Sequence, residues 1–477
     1  MRNLVKDLAG RVIGVLSAAT ATVAVLGMFV TPAQAVPSFA VQTGQPCQAC
    51  HVGGFGPQMT AFGRSFKMHG YTQRGGGDFN LPISAMAVAS WVQTGKNQPA
   101  PPADGFKRND NLGLDQVSIF IAGGLGTHFG GFIQNTYDGI GDGWSWDNLD
   151  LRAVTSLDLK AHDIVVGLSL NNSPTVQDAW NTLPAWGYPY TSSGLAPGAA
   201  TAPLLAGGLA QNVLGLTGYA WIDDHIFVEA GSYQSVGAGP LRRMGADPYA
   251  PGDIRGTAPY ARIAFTQPMF GGTLMTGAFG MKADINPARD RSTNATDHYT
   301  DVGVDAGFER TLASGDVITI NARYTHEKQN LDATCTLIND QAMSTASAGD
   351  GPVTVSGGAS GLCSPGASLD DMQVNASYFW RNKIGATVQL FDMSGSTNET
   401  LYAGNRTFKP DSSGVTLQLD ATPWGAGGSP FGPRFNVRVG AQYTAYNKFN
   451  GAHSNWDNGG ANASDNNTLR TFLWIAY

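Results

Sequence analysis

The sequence predicts a membrane-spanning β-barrel of sixteen antiparallel strands, preceded by a small α-helical segment. Three observations carry this expectation. The first is composition: 62 of 477 residues are Gly, and only 14% are charged. Soluble domains average about 25% charged residues, whereas a large barrel tolerates this composition and can run long as one domain. The second is that no stretch of 18 uninterrupted apolar residues follows residue 30, so transmembrane helices do not explain the low charge. The third is a hydrophobic period of two from Pro82 onward. A hydrophobic content of 42% excludes disorder, and a net charge of −7 argues against a nucleic-acid partner.

The N-terminus comes first. Arg2, Lys6 and Arg11 precede an uncharged stretch from Val12 to Val30, and Ala33-Gln34-Ala35 forms an A-x-A cleavage pattern. Residues 1–35 read as a secretory signal cut after Ala35. An uncleaved membrane anchor stays open as the second reading. Either way the chain leaves the cytoplasm, for a compartment where disulfides persist.

Residues 36–80 form the next unit. Cys47-Gln48-Ala49-Cys50-His51 is the attachment pattern of a c-type haem. Two thiols three residues apart add to the two vinyl groups, and the adjacent imidazole becomes the proximal iron ligand. No second C-x-x-C completes a zinc site, and no βαβ context supports a redox dithiol. One covalent haem c is therefore the expected cofactor. Pro57 to His69 reads as a helix ended by Gly70. Met59, Phe62, Phe66 and His69 share one face, suited to cover a porphyrin, while Arg64 and Lys67 fall off that stripe. The sixth iron ligand stays open. His69 lies on the stripe, Met59 begins it, Met68 is about 100° away from it, and the position could also be vacant. A His ligand lowers the potential and a Met ligand raises it.

Residues 81–477 supply the barrel. Val302, Val304, Ala306 and Phe308 alternate with Asp301, Gly303, Asp305, Gly307 and Glu309, and similar runs surround Val415, Ile318 and Val437. Such alternation is the signature of a barrel with one lipid face and one polar lumen face. Eight strands are expected near Pro82–Lys96, Gly113–Leu125, Thr127–Asp138, Asn148–Leu159, His162–Asn172, Val213–Ile222, His225–Gln234 and Ala258–Pro268. Eight more are expected near Gly272–Ile285, His298–Arg310, Asp316–Lys328, Leu369–Trp380, Lys383–Gly395, Ser413–Ala421, Pro433–Tyr446 and Asn467–Tyr477. Tight turns at Gly126, Lys160-Ala161, Asp223-Asp224 and Arg381-Asn382 alternate with long connections. Short turns belong to the periplasm and long loops to the outside. Thr422–Gly432 is the misfit, a longish loop where a turn belongs. Cys335 and Cys363 fall in the eleventh connection, outside the cell, and are expected to form a disulfide. The last strand ends on an aromatic residue, as the sorting signal of outer-membrane barrels does. Loops of this length do not suit a sixteen-strand sandwich.

Val36-Pro37-Ser38-Phe39-Ala40 through Cys50-His51, then Thr60-Ala61-Phe62-Gly63-Arg64 and Phe66-Lys67 to Gly70-Tyr71-Thr72, resemble a known family. It is the fused monohaem cytochrome–porins of the outer membrane of iron-oxidising bacteria. Asn172 to Asn181, with Pro184-Ala185-Trp186-Gly187, is similar to that family's long loop. The plan covers the mature chain, and the specific motifs cover its first third. The resemblance implies that Cys47, Cys50 and His51 hold the haem. It further implies Fe(II)-oxidising activity, with electrons taken from extracellular Fe(II) and passed to a periplasmic c-type cytochrome. It assigns no distal ligand and no catalytic residue.

Two other functions remain in view. One is a solute porin whose haem segment is a plug or redox gate. The other is a haem-based peroxidase or sensor, which would need five-coordinate iron. Asp301, Asp305 and Glu309 could draw a cation into the lumen, or Arg323 on the neighbouring strand could neutralise them.

Overall fold

The computed structural model describes residues 38–75, 82–199, 201–338, 363–399, 401–432 and 435–477. The targeting segment, residues 1–35, and the junction near residue 80 lie outside the described residues.

The strands are β1 (Ile83–Thr94), β2 (Asn111–Leu125), β3 (Phe129–Asp138), β4 (Gly143–Asp158), β5 (Asp163–Asn171), β6 (Val213–Ile222) and β7 (Ile226–Ser235). They continue as β8 (Gly252–Ile254), β9 (Ala258–Met269), β10 (Gly272–Pro287), β11 (Asp297–Thr311), β12 (Val317–Leu331) and β13 (Gly366–Trp380). The last four are β14 (Ile384–Gly395), β15 (Ser412–Ala421), β16 (Asn436–Lys448) and β17 (Thr468–Ala476). Neighbours in sequence pair antiparallel, and β1 bonds to both β2 and β17, so the sheet closes on itself. The three-residue β8 pairs with the far end of β10, in line with β9. The wall is thus a sixteen-strand antiparallel barrel.

The wall turns its apolar face outward. Val302 and Val304 are 52% and 55% exposed, while Asp301 and Asp305 between them are 1% and 4% exposed. Leu417 and Leu419 face out beside inward Thr416, Gln418 and Asp420 in the same manner. A protein with this inverted pattern is stable only with hydrocarbon around it, which makes the chain a transmembrane barrel of the bacterial outer-membrane kind.

The tight turns follow from handedness. Asp223-Asp224, Phe270-Gly271 and Arg381-Asn382 all have positive φ at both residues. That is the backbone of a type I′ hairpin, whose twist matches the twist of the strands it joins. These turns lie at one rim of the barrel, the rim at which β1 begins and β17 ends.

The lumen is filled from both ends. Residues 38–75 carry three short helices, α1 (Ser38–Thr43), α2 (Cys47–Cys50) and α3 (Ala61–Met68). They form a plug tied to strands on every side. Tyr71 Oη donates to Asp150 at 2.7 Å, Tyr219 Oη to the Met68 carbonyl at 2.6 Å, and Arg64 to Glu309 at 2.8 Å. Across the lumen, Asn436 Nδ2 donates to the Gly54 carbonyl at 3.1 Å.

From the other end, the connection between β5 and β6 folds inward rather than outward. Asn172, Thr175, Val176, Asp178, Ala179 and Leu183 in it are fully buried. Asp178 accepts from the backbone N–H groups of Trp180, Thr182 and Leu183, and it pairs with Arg262 at 3.4 Å. Farther along, the Leu205 N–H donates to Asp301 at 2.8 Å, and the neighbouring Leu204 N–H donates to Glu327.

Cys335 and Cys363 are joined in a disulfide with their Cα atoms 5.2 Å apart. Most of the loop that it closes lies outside the described residues.

Candidate functional site

The site grows from one helical turn. After Pro46, the His51 N–H closes on the Cys47 carbonyl at 2.9 Å, so Cys47 and Cys50 stand on one side of α2. Thr60 then ties two helices together. Its N–H donates to the Cys50 carbonyl at 2.9 Å and its hydroxyl to the Ala49 carbonyl at 2.5 Å, while that hydroxyl also accepts the Gly63 N–H that begins α3. Gly63 lets the helices touch: a Cβ there would lie 2.2 Å from the Cys50 carbonyl oxygen.

The misfit loop, residues 422–432, now has a reason. Its Gly425 carbonyl accepts the Gln48 N–H at 3.0 Å, and its backbone packs directly on Gly54. The connection is long because it cups the C-x-x-C-H turn. Arg438 completes the cup from β16, donating to the Gly53 carbonyl at 3.2 Å.

Beside this turn lies a cavity of about 490 Å³ lined by Cys47, Cys50 and His51. This falls within the range of about 300–1,000 Å³ usual for small-molecule sites. A chain of aromatic rings runs along part of its wall. Phe39 stacks on Tyr71 at 5.1 Å and meets Phe66 edge-on at 5.0 Å; Tyr71 leads to Phe132 at 6.0 Å and Phe132 to Trp186 at 6.2 Å. The plug supplies the first three rings, β3 the fourth and the inward loop the fifth.

The donor set is tuned by burial. His51 sits half-buried with its Nδ1 lacking a hydrogen-bond partner. The packed surroundings, then the Arg438 guanidinium, push its pKa down to about 4. The imidazole is therefore neutral at physiological pH, the form that ligates a metal. Burial raises the Cys47 thiol and pushes Cys50 up to about 11. Among the described residues no three His, Cys, Asp or Glu side chains cluster as ligands for a bare ion.

The three candidate distal ligands part company. Met59 lines the cavity and is bridged by backbone to His51. Met68 is buried in a different cluster, with Val154, Trp180, Trp221 and Met275. His69 caps α3, its Nδ1 2.8 Å from the Ser65 carbonyl, and is not among the residues lining the cavity. Because Gly63 is the point of contact with Cys50, the helix shows Gly63, Phe66 and Lys67 to the cavity. Of the expected stripe, Met59 and Phe66 line the cavity, whereas His69 does not and Phe62 is exposed.

Sequence reasoning thus missed Lys67. It also missed Trp186, far away along the chain, which only the inward fold of its loop brings to the site. Lys67 Nζ donates to the Val176 carbonyl at 2.8 Å and to Asn181 Oδ1 at 3.1 Å, with the Trp186 ring 5.4 Å away. Burial pushes its pKa down to about 7.

The lumen carboxylates are engaged, though not by Arg323, which pairs instead with Asp371 at 2.9 Å. Asp305 pairs with Arg262 at 2.8 Å, Glu309 with Arg64 at 2.8 Å, and Asp301 accepts from the inward loop. They hold the plug and the inward loop in place, and do not line an open path for a cation.

No protein-family model matches the chain, and no curated protein matches it. Solved structures with a similar course include OprB of Pseudomonas putida (11% identity, TM-score 0.47, covering 83% of this chain and 93% of that one). The anion-selective porin from Comamonas acidovorans matches at 10% identity and a TM-score of 0.45, covering 83% and 98%. The outer membrane channel DcaP of Acinetobacter baumannii matches at 12% identity and 0.42, covering 86% and 99%.

Proposed function

We propose that this outer-membrane barrel is an electron-transfer protein that carries one covalent haem c inside its lumen. The observation that carries this reading is the C-x-x-C-H turn held against an aromatic cavity between the plug and the wall. Cys47 and Cys50 would hold the haem through thioethers, and His51 would be the proximal ligand. When bound, the group supplies a one-electron couple. The chain's own part is to keep the His51 imidazole neutral and oriented, to surround the cavity with rings, and to exclude bulk water with the inward loop. Burial and axial ligation are the levers that set the potential.

The donor we infer is extracellular Fe(II), and the acceptor is a periplasmic c-type cytochrome. A ferrous ion oxidised outside leaves its insoluble product outside. With Asp301, Asp305 and Glu309 already engaged, the donor is read as reacting at the outer mouth rather than descending past those carboxylates. An anaerobic absorption spectrum of the purified protein before and after Fe(II) tests this. Reduction of a c-type haem supports it. Haem that stays oxidised in excess Fe(II) removes iron as the donor, and protein without haem removes the electron-transfer reading.

A second reading has the barrel architecture in its favour. A sixteen-strand porin-like wall is built to pass solutes, with the haem segment as plug or gate. Planar-bilayer recordings separate the two. Steady conductance of small ions through the holoprotein favours the channel, and a closed lumen favours the electron carrier.

A further inference from the structure

Each of six arginines facing the lumen or plug has a carboxylate within 4 Å. Arg64 pairs with Glu309, Arg152 with Asp150, Arg262 with Asp305, Arg323 with Asp371, Arg438 with Asp420 and Arg470 with Asp115. Lys67 departs from the pattern. It is 3% exposed, and both acceptors of its Nζ, the Val176 carbonyl and Asn181 Oδ1, are neutral. Asp150, Asp178 and Glu229 act on it only from beyond contact distance, and Arg152 holds the first and Arg262 the second. A buried ammonium without a counter-charge is costly and is rarely left so.

Among the described residues, Lys67 is also the single Lys or Arg lining the cavity that holds Cys47, Cys50 and His51. An ammonium has three N–H donors. Two are accounted for, and one is left for whatever fills the cavity. The missing counter-charge is then expected on the occupant.

We propose that Lys67 is a positioning residue for a carboxylate of the cavity's occupant. On the haem reading above, on which this rests, that carboxylate is a haem propionate. The chemistry of a c-type haem fits the placement. Thioether bonds fix the vinyl-derived edge at Cys47 and Cys50, and the two propionates leave the opposite edge of the macrocycle. Gly63 abuts Cys50, Lys67 follows one turn later on the same helix, and its amine reaches the wall formed by Val176 and Asn181. The contact would lock the haem to the inward loop, since the lysine that receives the propionate also holds that loop. A cation beside the propionates disfavours the extra positive charge of ferric iron, so Lys67 raises the midpoint potential.

Optical redox titration of the purified holoprotein tests this, using Lys67→Gln and Lys67→Arg. Gln can still donate to Val176 and Asn181 while removing the charge. Expected are a lower midpoint in Lys67→Gln, a near-original midpoint in Lys67→Arg, and a resonance Raman propionate-bending band that moves only in the Gln variant. The same band in the unaltered protein should shift between H₂O and D₂O, which keeps the test open if Lys67→Gln does not fold. An unmoved midpoint and band in Lys67→Gln at equal haem content overturns the proposal. So does a band in the unaltered protein that is insensitive to D₂O. Absence of covalent haem from the unaltered protein overturns the haem reading itself, a result distinct from either.

Discussion

Gly63 has no room for a side chain, because the Cys50 carbonyl occupies the space a Cβ would need. Gly63→Leu should therefore push α3 off α2 and cost about 1–3 kcal/mol or more. On the haem reading proposed above, the measurable outcome is loss of covalent haem, scored on a haem-stained gel, from a barrel that still shows heat-modifiable mobility. Full haem content would show that the two helices can part without harm. The cysteines allow a complementary check. Burial pushes their thiols above the usual range, so thiolate, the reactive form, is scarce at neutral pH. In Cys47→Ala, burial still holds the remaining Cys50 thiol up, so in protein free of haem it should alkylate slowly near neutrality and faster as pH rises, read by mass spectrometry. Rapid modification at pH 7 would mean the turn is not packed as described. At this scale the sequence was legible where spacing alone decides geometry, since Cys47, Cys50 and His51 do stand together at one cavity. It was not legible where a helix's rotation decides. Lys67 was set aside on helical periodicity, and a contact through Gly63 turned it inward.

The inward connection between β5 and β6 is the element on which lumen closure depends. Asp178 organises its turn and neutralises Arg262, both fully buried. Arg262 keeps Asp305 at 2.8 Å, so removing Asp178 should cost less than the about 3–5 kcal/mol of a buried pair broken outright. Asp178→Asn keeps the shape while weakening the pair. Asp178→Ala should free the loop, to be seen as faster external proteolysis between residues 175 and 195 and as larger bilayer conductance. Unchanged proteolysis would shift the anchoring role to the contacts of Leu204 and Leu205. Strand positions and tight turns were readable beforehand because period-two alternation and paired left-handed residues are local signals. The course of residues 172–212 was not. Length marked it as a loop, but its direction depends on Arg262, Asp301 and Glu327, each on a different strand. The length of residues 422–432 likewise makes sense only once the turn it cups is inside the barrel.

The whole molecule is an apolar belt around a polar, packed interior. Leu417, 50% exposed on β15, lies within that belt. Leu417→Arg should destabilise insertion by about 2–4 kcal/mol if it stands near the bilayer midplane, measured by folding titrations into lipid vesicles, whereas Gln418→Ala on the inner face should not alter lipid partitioning. Orientation has its own test. After reduction, Cys335 and Cys363 should be labelled by an impermeant maleimide on intact cells. Labelling only after the outer membrane is opened would invert the barrel. Closure was legible from the strand alternation and is seen in the pairing of β1 with β17, whereas orientation is an expectation from the alternation of short and long connections. That the plug occupies the lumen, rather than hanging beneath it, was one of two placements the sequence left open.

The plug's position also fixes an order of events in the protein's biogenesis. Cys47 and Cys50 line a cavity shared by the plug, the wall and the inward loop, and residues 422–432 pack against their turn. An enzyme that joins haem to cysteine needs the C-x-x-C-H turn accessible, and in the finished barrel plug, wall and inward loop stand around that turn. On the haem reading proposed above, attachment is expected while the chain is still unfolded in the periplasm, with the sixteen strands closing around the haem afterwards. A barrel that closes first is a dead end: protein folded without haem should stay empty however much haem and attachment machinery it later meets.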